Sequence, residues 1–148
     1  MRDRRGGGAV DPFERVHGPA TLHEFLAGCD YLFAALPDTP ATRGLLDADA
    51  LRRLPAGCLL INVGRGSLLD EGALLEALHS GRLGGAVLDV FQAEPLPASH
   101  PFWSAPRLRI TAHIAARSLP ADIARVFLGN LRRFDAGEDL VGLDRRDG

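Results

Sequence analysis

The sequence predicts an α/β fold, an open and mostly parallel sheet with helices packed against it. Three observations carry that prediction. Short apolar runs that stop at Pro or Gly recur along the chain, stretches with apolar residues three and four apart lie between them, and Asp or Gly stands at the borders of those stretches. Continuous apolar runs read as strands covered on both faces, and their alternation with helices implies parallel pairing through right-handed crossovers.

Residues 1–20 are rich in Gly, Arg and Pro, with Phe13 and Val16 as apolar exceptions, and read as loop with at most one short strand. Thr21 then precedes Leu22, Phe25 and Leu26, the spacing of a short helix that ends at Gly28. Residues 30–36 form the first strand-like run, stopped by Pro37. Asp47 can cap a helix through Ala50, Leu51 and Leu54 before Pro55 forbids its continuation. The run 58–63 stops at Gly64, and Asp70 can cap a longer helix bearing Leu74, Leu75 and Leu78 before Gly81. Residues 86–90 give a third strand, and 108–111 a fourth. Ser118 and Pro120 open a last helix whose Ile123, Val126, Phe127, Leu131 and Phe134 make one apolar face, closed by Gly137. That face must pack on something, while residues 138–148 read as a charged, exposed extension. Ligands of open parallel sheets bind at the carboxyl ends of the strands, here Pro37, Gly64, the Asp89 region and His113.

Composition removes several classes of function. The formal charge of −2 shows no basic excess for a phosphate backbone, which argues against nucleic acid as a partner. All 17 basic residues are arginine, so there is no lysine for a phosphate loop, a Schiff base or a general base. Cys29 and Cys58 have no partner pattern, and His17, His23, His79 and His100 lack ligand spacing, so neither a disulfide framework nor a metal site is expected. The charged, Gly-rich start is no secretory signal, no apolar run approaches membrane-spanning length, and the isolated cysteines suit a cytoplasmic protein. Trp103 reads as a packing aromatic at the end of a loop.

Three strand-end residues could carry chemistry. Arg65, flanked by Gly64 and Gly66, could grip a carboxylate with two parallel hydrogen bonds, although position alone leaves a solvated loop arginine equally open. Glu94 precedes Pro95, which biases it toward an extended backbone, and an acid there could orient a histidine and stabilise its protonated form. Without further context Glu94 and Asp89 read as solvated turn acids, and His113 as a packed histidine beside a strand. A strand-end histidine near an acid and a guanidinium would nevertheless be a credible general acid and base.

Four segments decide between these readings. L-P-x-T-P-x-T-x-G at 36–44, I-N-V-G-R-G at 61–66, L-D-V-F-x-x-E-P-L-P at 88–97 and T-x-H-I-A-A at 111–116 together resemble the D-isomer-specific 2-hydroxyacid dehydrogenase family. The likeness runs from about Arg2 to the C-terminus and is nearest to the glyoxylate/hydroxypyruvate reductase branch, including the tail Val141-Gly142-Leu143-Asp144-Arg145. The resemblance implies a Rossmann-type domain that binds NADP or NAD, reduction of a small 2-oxo acid to the D-2-hydroxy acid, and a homodimer for full-length members. Under it, Arg65 binds the substrate carboxylate and carbonyl, His113 protonates the carbonyl oxygen as hydride arrives, and Glu94 hydrogen-bonds His113. Asp89 meets the nicotinamide carboxamide, while Leu36, Pro37, Val63, Gly64 and Ala115 line the cofactor cleft. Arg2 and Arg4 fall where such folds discriminate cofactors and favour the 2′-phosphate of NADP, although a basic N-terminus without that role stands almost level.

The resemblance also has a gap. The first strand, its G-x-G-x-x-G turn and the substrate-domain segment that precede this region in the family are missing, and Gly6-Gly7-Gly8 follows no apolar strand. Residues 1–117 would thus be the C-terminal part of the cofactor-binding domain, and 118–148 a helix and tail that pack on the missing substrate domain. The expectation is a partial doubly wound sheet with an exposed apolar edge at its first strand, and weak cofactor binding and turnover by the isolated chain. The alternative is a catalytically inactive remnant that acts as an interaction module.

Overall fold

The structure, a computed structural model, describes residues 17–116 and 119–142. Arg2, Arg4, Gly6-Gly7-Gly8, Ser118 and the tail from Leu143 lie outside the described residues. The chain divides into two compact units, Met1–Ala115 and Ala116–Gly148.

In the first unit the order is α1 (Leu22–Ala27), β1 (Tyr31–Ala34), α2 (Ala48–Arg53), β2 (Leu59–Asn62), α3 (Glu71–His79), β3 (Gly85–Leu88) and β4 (Leu108–Ile110). All four strands are parallel in the order β1-β2-β3-β4. The helix starts follow from capping: the Asp47 carboxylate accepts from the Ala50 amide at 2.8 Å, and that of Asp70 from the Ala73 amide at 2.9 Å. Gly28 closes α1 as expected. Each strand is shorter than its apolar run, although the amides of Val63, Asp89 and Thr111, just past the strand ends, still donate to the neighbouring strand.

Register puts Leu32, Leu60, Ala86 and Leu108 side by side on one face, with Ala34, Asn62, Leu88 and Ile110 one step further along. That face carries the core, in which Leu26, Leu51, Leu54, Leu74 and Leu78 from the helices pack against it. Each fully buried leucine contributes about 1.5–3 kcal/mol. The opposite face bears Tyr31 and Phe33, 70% and 62% exposed, with Leu59 also exposed. The continuous apolar runs suggested cover on both faces; among the described residues of this unit the core lies on one face, and β1 is an edge of the four-stranded sheet. Cys29 and Cys58 are buried free thiols.

The second unit contains α4 (Pro120–Asp135), with Pro120 in its first turn and Gly137, at φ 69°, just beyond its end. None of its residues is buried, and the apolar stripe of Ile123, Val126, Phe127, Leu131 and Phe134 is exposed.

Close backbone approach at the carboxyl end of the sheet requires glycine at two positions. A Cβ on Gly64 would lie 2.7 Å from the Leu36 carbonyl oxygen, and one on Gly66 would lie 1.9 Å from the Phe91 carbonyl carbon. Backbone cannot yield as a flexible side chain does, so Gly66→Ala should lower stability by about 1–3 kcal/mol or more in urea unfolding. Gly129→Ala, with nothing within 4 Å of the new methyl, should instead be neutral or raise the helicity of α4. Equal effects at the two sites would contradict this packing.

Candidate active site

The loops that leave the carboxyl ends of β1, β2, β3 and β4 carry Leu36 and Pro37, Arg65, Glu94 and His113 respectively. Three hydrogen-bonded knots fix these loops.

The first knot explains the T-P-x-T segment. Thr42 donates its hydroxyl to the Pro37 carbonyl at 2.6 Å and accepts from the Thr39 amide at 3.0 Å. Arg43 grips Asp38 with two bonds of 2.8 and 3.0 Å, and the Ser67 hydroxyl donates to the same carboxylate at 2.9 Å. The Arg43 contact, then the Ser67 bond and the more distant charge of Arg65, hold the Asp38 carboxyl below its usual range. Leu36 and Pro37 are left exposed beside buried Gly64.

The second knot centres on Asn62, which is 0% exposed at the end of β2. Its side-chain oxygen accepts from the Gly64 amide at 3.1 Å, and its amide donates to the Arg65 carbonyl at 3.1 Å. Val63 is half-buried and donates its amide to the Ala34 carbonyl at 3.0 Å. Arg65 itself is exposed, donates to the Gly64 carbonyl at 2.7 Å, and forms no ion pair with a carboxylate among the described residues. Its other guanidinium nitrogens make no hydrogen bond among the described residues.

The third knot joins β3 to the loop after β4. Asp89, 2% exposed, accepts from the Thr111 hydroxyl, from the Ile114 amide at 3.0 Å and from the Ala115 amide at 2.9 Å. Burial, the largest influence, pushes the Asp89 carboxyl up, but these hydrogen bonds and the nearby His113 outweigh it and hold the group below its usual range. Ala115 is thus tied to Asp89, though its side chain is exposed.

His113 and Glu94 meet. Nδ1 of His113 lies 2.8 Å from Oε2 of Glu94, with the two side chains 51% and 37% exposed. Oε1 of Glu94 accepts from the Phe91 amide at 2.9 Å, so both carboxylate oxygens are engaged. The His113 bond, then the Phe91 amide, with the charges of His113 and Arg65 adding, depress the Glu94 carboxyl; burial opposes them. An ionised carboxylate only accepts, so Nδ1 carries the hydrogen of this contact and Nε2 is the ring nitrogen left to face outward. The backbone of His113 is left-handed at φ 55°, an arrangement that costs a residue with a Cβ about 1–2 kcal/mol and must be held by its surroundings.

An open, largely apolar cavity of about 520 Å³ adjoins the pair, lined by Phe91, Leu96, Trp103 and Ile110 with Glu94 and His113. Trp103 is 56% exposed, and its indole N–H donates to the Pro97 carbonyl at 2.8 Å. Among the described residues no group of three or more His, Cys, Asp or Glu side chains could hold a metal, and no helix is long and apolar enough to cross a membrane.

Asn62 and Thr111 were not singled out in the sequence. An asparagine inside an otherwise apolar run was the available signal, since a buried amide must be matched by donors and acceptors nearby.

Residues 8–115 match the family model described as D-isomer specific 2-hydroxyacid dehydrogenase, NAD binding domain. The chain is 41% identical over 134 residues to a glyoxylate/hydroxypyruvate reductase A of Yersinia enterocolitica, covering 90% of this chain and 43% of that protein. It also resembles a D-isomer specific 2-hydroxyacid dehydrogenase of Xanthobacter autotrophicus solved with NADPH and MES, at 42% identity and a TM-score of 0.84, covering 93% of this chain and 57% of that one. An NADPH-dependent glyoxylate/hydroxypyruvate reductase of Sinorhizobium meliloti, solved with NADP and sulfate, matches at 36% identity and a TM-score of 0.81, over 90% of this chain and 46% of that one. The chain spans less than half the length of the curated relatives it matches. With its parallel sheet, its strand-end loops and a family match across most of its length, the chain belongs to the D-isomer specific 2-hydroxyacid dehydrogenases.

Proposed function

We propose that this chain supplies the nicotinamide-side half of an NAD(P)-dependent active site that reduces a small 2-oxo acid, of the glyoxylate or hydroxypyruvate type, to the D-2-hydroxy acid. The observation that carries the reading is the 2.8 Å contact between His113 Nδ1 and Glu94 Oε2, beside the loop that bears Arg65. On this reading residues 1–117 are the C-terminal part of the cofactor domain, and 118–148 pack the apolar stripe of α4 on a substrate domain. The enzyme is cytoplasmic and, at full length, a homodimer.

The residues fit one end of the cofactor. Leu36 and Pro37 are apolar yet exposed, beside a glycine where a side chain would strike backbone, which suits a flat ring laid against the strand ends. Leu36, Pro37, Val63, Gly64, Asp89 and Ala115 would hold it, whereas no G-x-G-x-x-G turn for a pyrophosphate occurs in the 148 residues. NADP is favoured over NAD by the ligands of the Xanthobacter and Sinorhizobium proteins and by the charge of Arg2 and Arg4. When bound, the cofactor supplies the hydride.

The chain's own side chains divide the remaining work. Arg65 offers its unengaged guanidinium donors to the substrate carboxylate, a planar match that also orients the carbonyl. His113 delivers a proton from Nε2 to the carbonyl oxygen, while Glu94 holds Nδ1 and so fixes the ring and its tautomer. A second reading, an inactive remnant serving as an interaction module, is supported by the exposed apolar stripe of α4 and by Tyr31 and Phe33 at the sheet edge.

NADPH consumption with glyoxylate or hydroxypyruvate tests the reading. Because the pyrophosphate turn is not among the 148 residues, the isolated chain should bind NADPH weakly and turn over slowly. His113→Ala should reduce that turnover by about 10²–10⁴-fold, the usual worth of a general acid. Turnover indifferent to both His113→Ala and Arg65→Ala would overturn the assignment.

Acid unfolding tests the ion pair separately. The Glu94 carboxyl is depressed in the folded state, so its contribution to stability is complete above the ordinary glutamate value near 4.3 and is lost as pH falls through the folded value. The stability difference between the natural chain and Glu94→Gln, followed by urea unfolding from about pH 6 to about pH 3, should narrow toward acid. A gap that widens on acidification would contradict the pairing.

A further inference from the structure

Asn62 and Asp89 are the buried polar side chains of the described residues, and Asp89 is the one that carries a charge. Four donors from a single short loop converge on it. The Thr111 hydroxyl and the Ile114 amide reach one carboxylate oxygen, the Ala115 amide reaches the other, and the His113 amide donates to the Asp89 backbone carbonyl at 2.8 Å. Residues 111–116 are otherwise exposed, so little core packing is available to shape them. Yet the loop must hold His113 at φ 55° and bring its ring within 2.8 Å of Glu94.

We propose that Asp89 is a positioning residue for His113: its carboxylate draws the 111–115 loop into the one conformation that carries the imidazole onto Glu94. This role lies beyond the cofactor contact that family resemblance implies for Asp89, and it rests on the proposed function only for the catalytic meaning given to His113. The loop amides of residues 114 and 115 point the same way, into one acceptor, and a carboxylate can satisfy both while also taking the Thr111 hydroxyl. An asparagine cannot. It offers one oxygen and turns N–H toward N–H at the other position. Released from that anchor, the left-handed turn at His113 keeps its amide bond to the Asp89 carbonyl but loses the bonds that fix residues 114 and 115 beside it, and the ring can leave Glu94.

The test reads the ring directly. In ¹⁵N-labelled chain, proton–nitrogen correlation spectra of the histidine side chains should give a hydrogen-bonded Nδ1–H for His113. Glu94→Gln sets the signature of a lost contact. Asp89→Asn should abolish the Nδ1–H signal and move the His113 ring shifts most of the way to their values in Glu94→Gln, while the ring signals of His79 and His100 stay in place. Thr111→Val, which removes one donor, should move His113 in the same direction by less, and it carries the comparison if Asp89→Asn does not fold. His113 signals at natural values in folded Asp89→Asn, or in folded Thr111→Val where only that variant folds, overturn the proposal, as does a displacement shared equally by all the histidines. NADPH-dependent turnover is followed in parallel. Absent turnover in the natural chain, with the histidine shifts as expected, removes the functional reading and leaves the positioning role standing.

Discussion

Two buried polar side chains, Asn62 and Asp89, stand at the carboxyl ends of the central strands β2 and β3 and must be satisfied without water. A buried polar group left unpaired costs about 1–3 kcal/mol, and more if it is charged. Both are satisfied from the loops that bear the proposed site residues: Asn62 by Gly64 and Arg65, Asp89 by residues 111–115. The core therefore dictates the backbone beneath the guanidinium and the imidazole. Side chains on exposed loops acquire defined positions because the atoms below them are needed inside.

Close packing of the strand ends supplies the second constraint. Gly64 lies against the backbone at Leu36 and Gly66 against the backbone at Phe91, so the loops after β1, β2 and β3 approach one another main chain to main chain at these two points. Arg65 sits between these contacts, and its charge reaches both Asp38 and Glu94. A guanidinium held between two carboxylates, without a close ion pair to either among the described residues, keeps donors available for a carboxylate ligand. The same arrangement leaves Glu94 ionised and so able to act on His113 as an acceptor.

Much of this was legible in the sequence, and the remainder was hidden for identifiable reasons. Asp47 and Asp70 announced two helix starts because a cap depends only on residues a few positions away, and both bonds are present. The parallel pairing of the strands followed from alternation. The number of covered faces did not, because an apolar run records that a face is to be buried and not by what; Tyr31 and Phe33 are exposed within this chain. The stripe of α4 was equally plain, yet none of it is buried. Arg65, Glu94 and His113 were put forward as site residues from four short segments taken together, and the structure brings Glu94 to His113. Thr111 was not singled out because its partner, Asp89, comes from across the sheet end, which local sequence does not display; Asn62, whose partners Gly64 and Arg65 are near in sequence, matters because it is buried, which an apolar run does not report of its one amide.

Amide hydrogen exchange measures the central claim most directly. Residues 114 and 115 are exposed, and by surface position alone their amides should exchange at the rate of open loop. Their bonds to Asp89, and that of Gly64 to Asn62, should instead give protection comparable to the amides of β2 and β3. Exchange of all three at open-loop rates, in a chain whose strands remain protected, would show that the buried pair does not hold the loops.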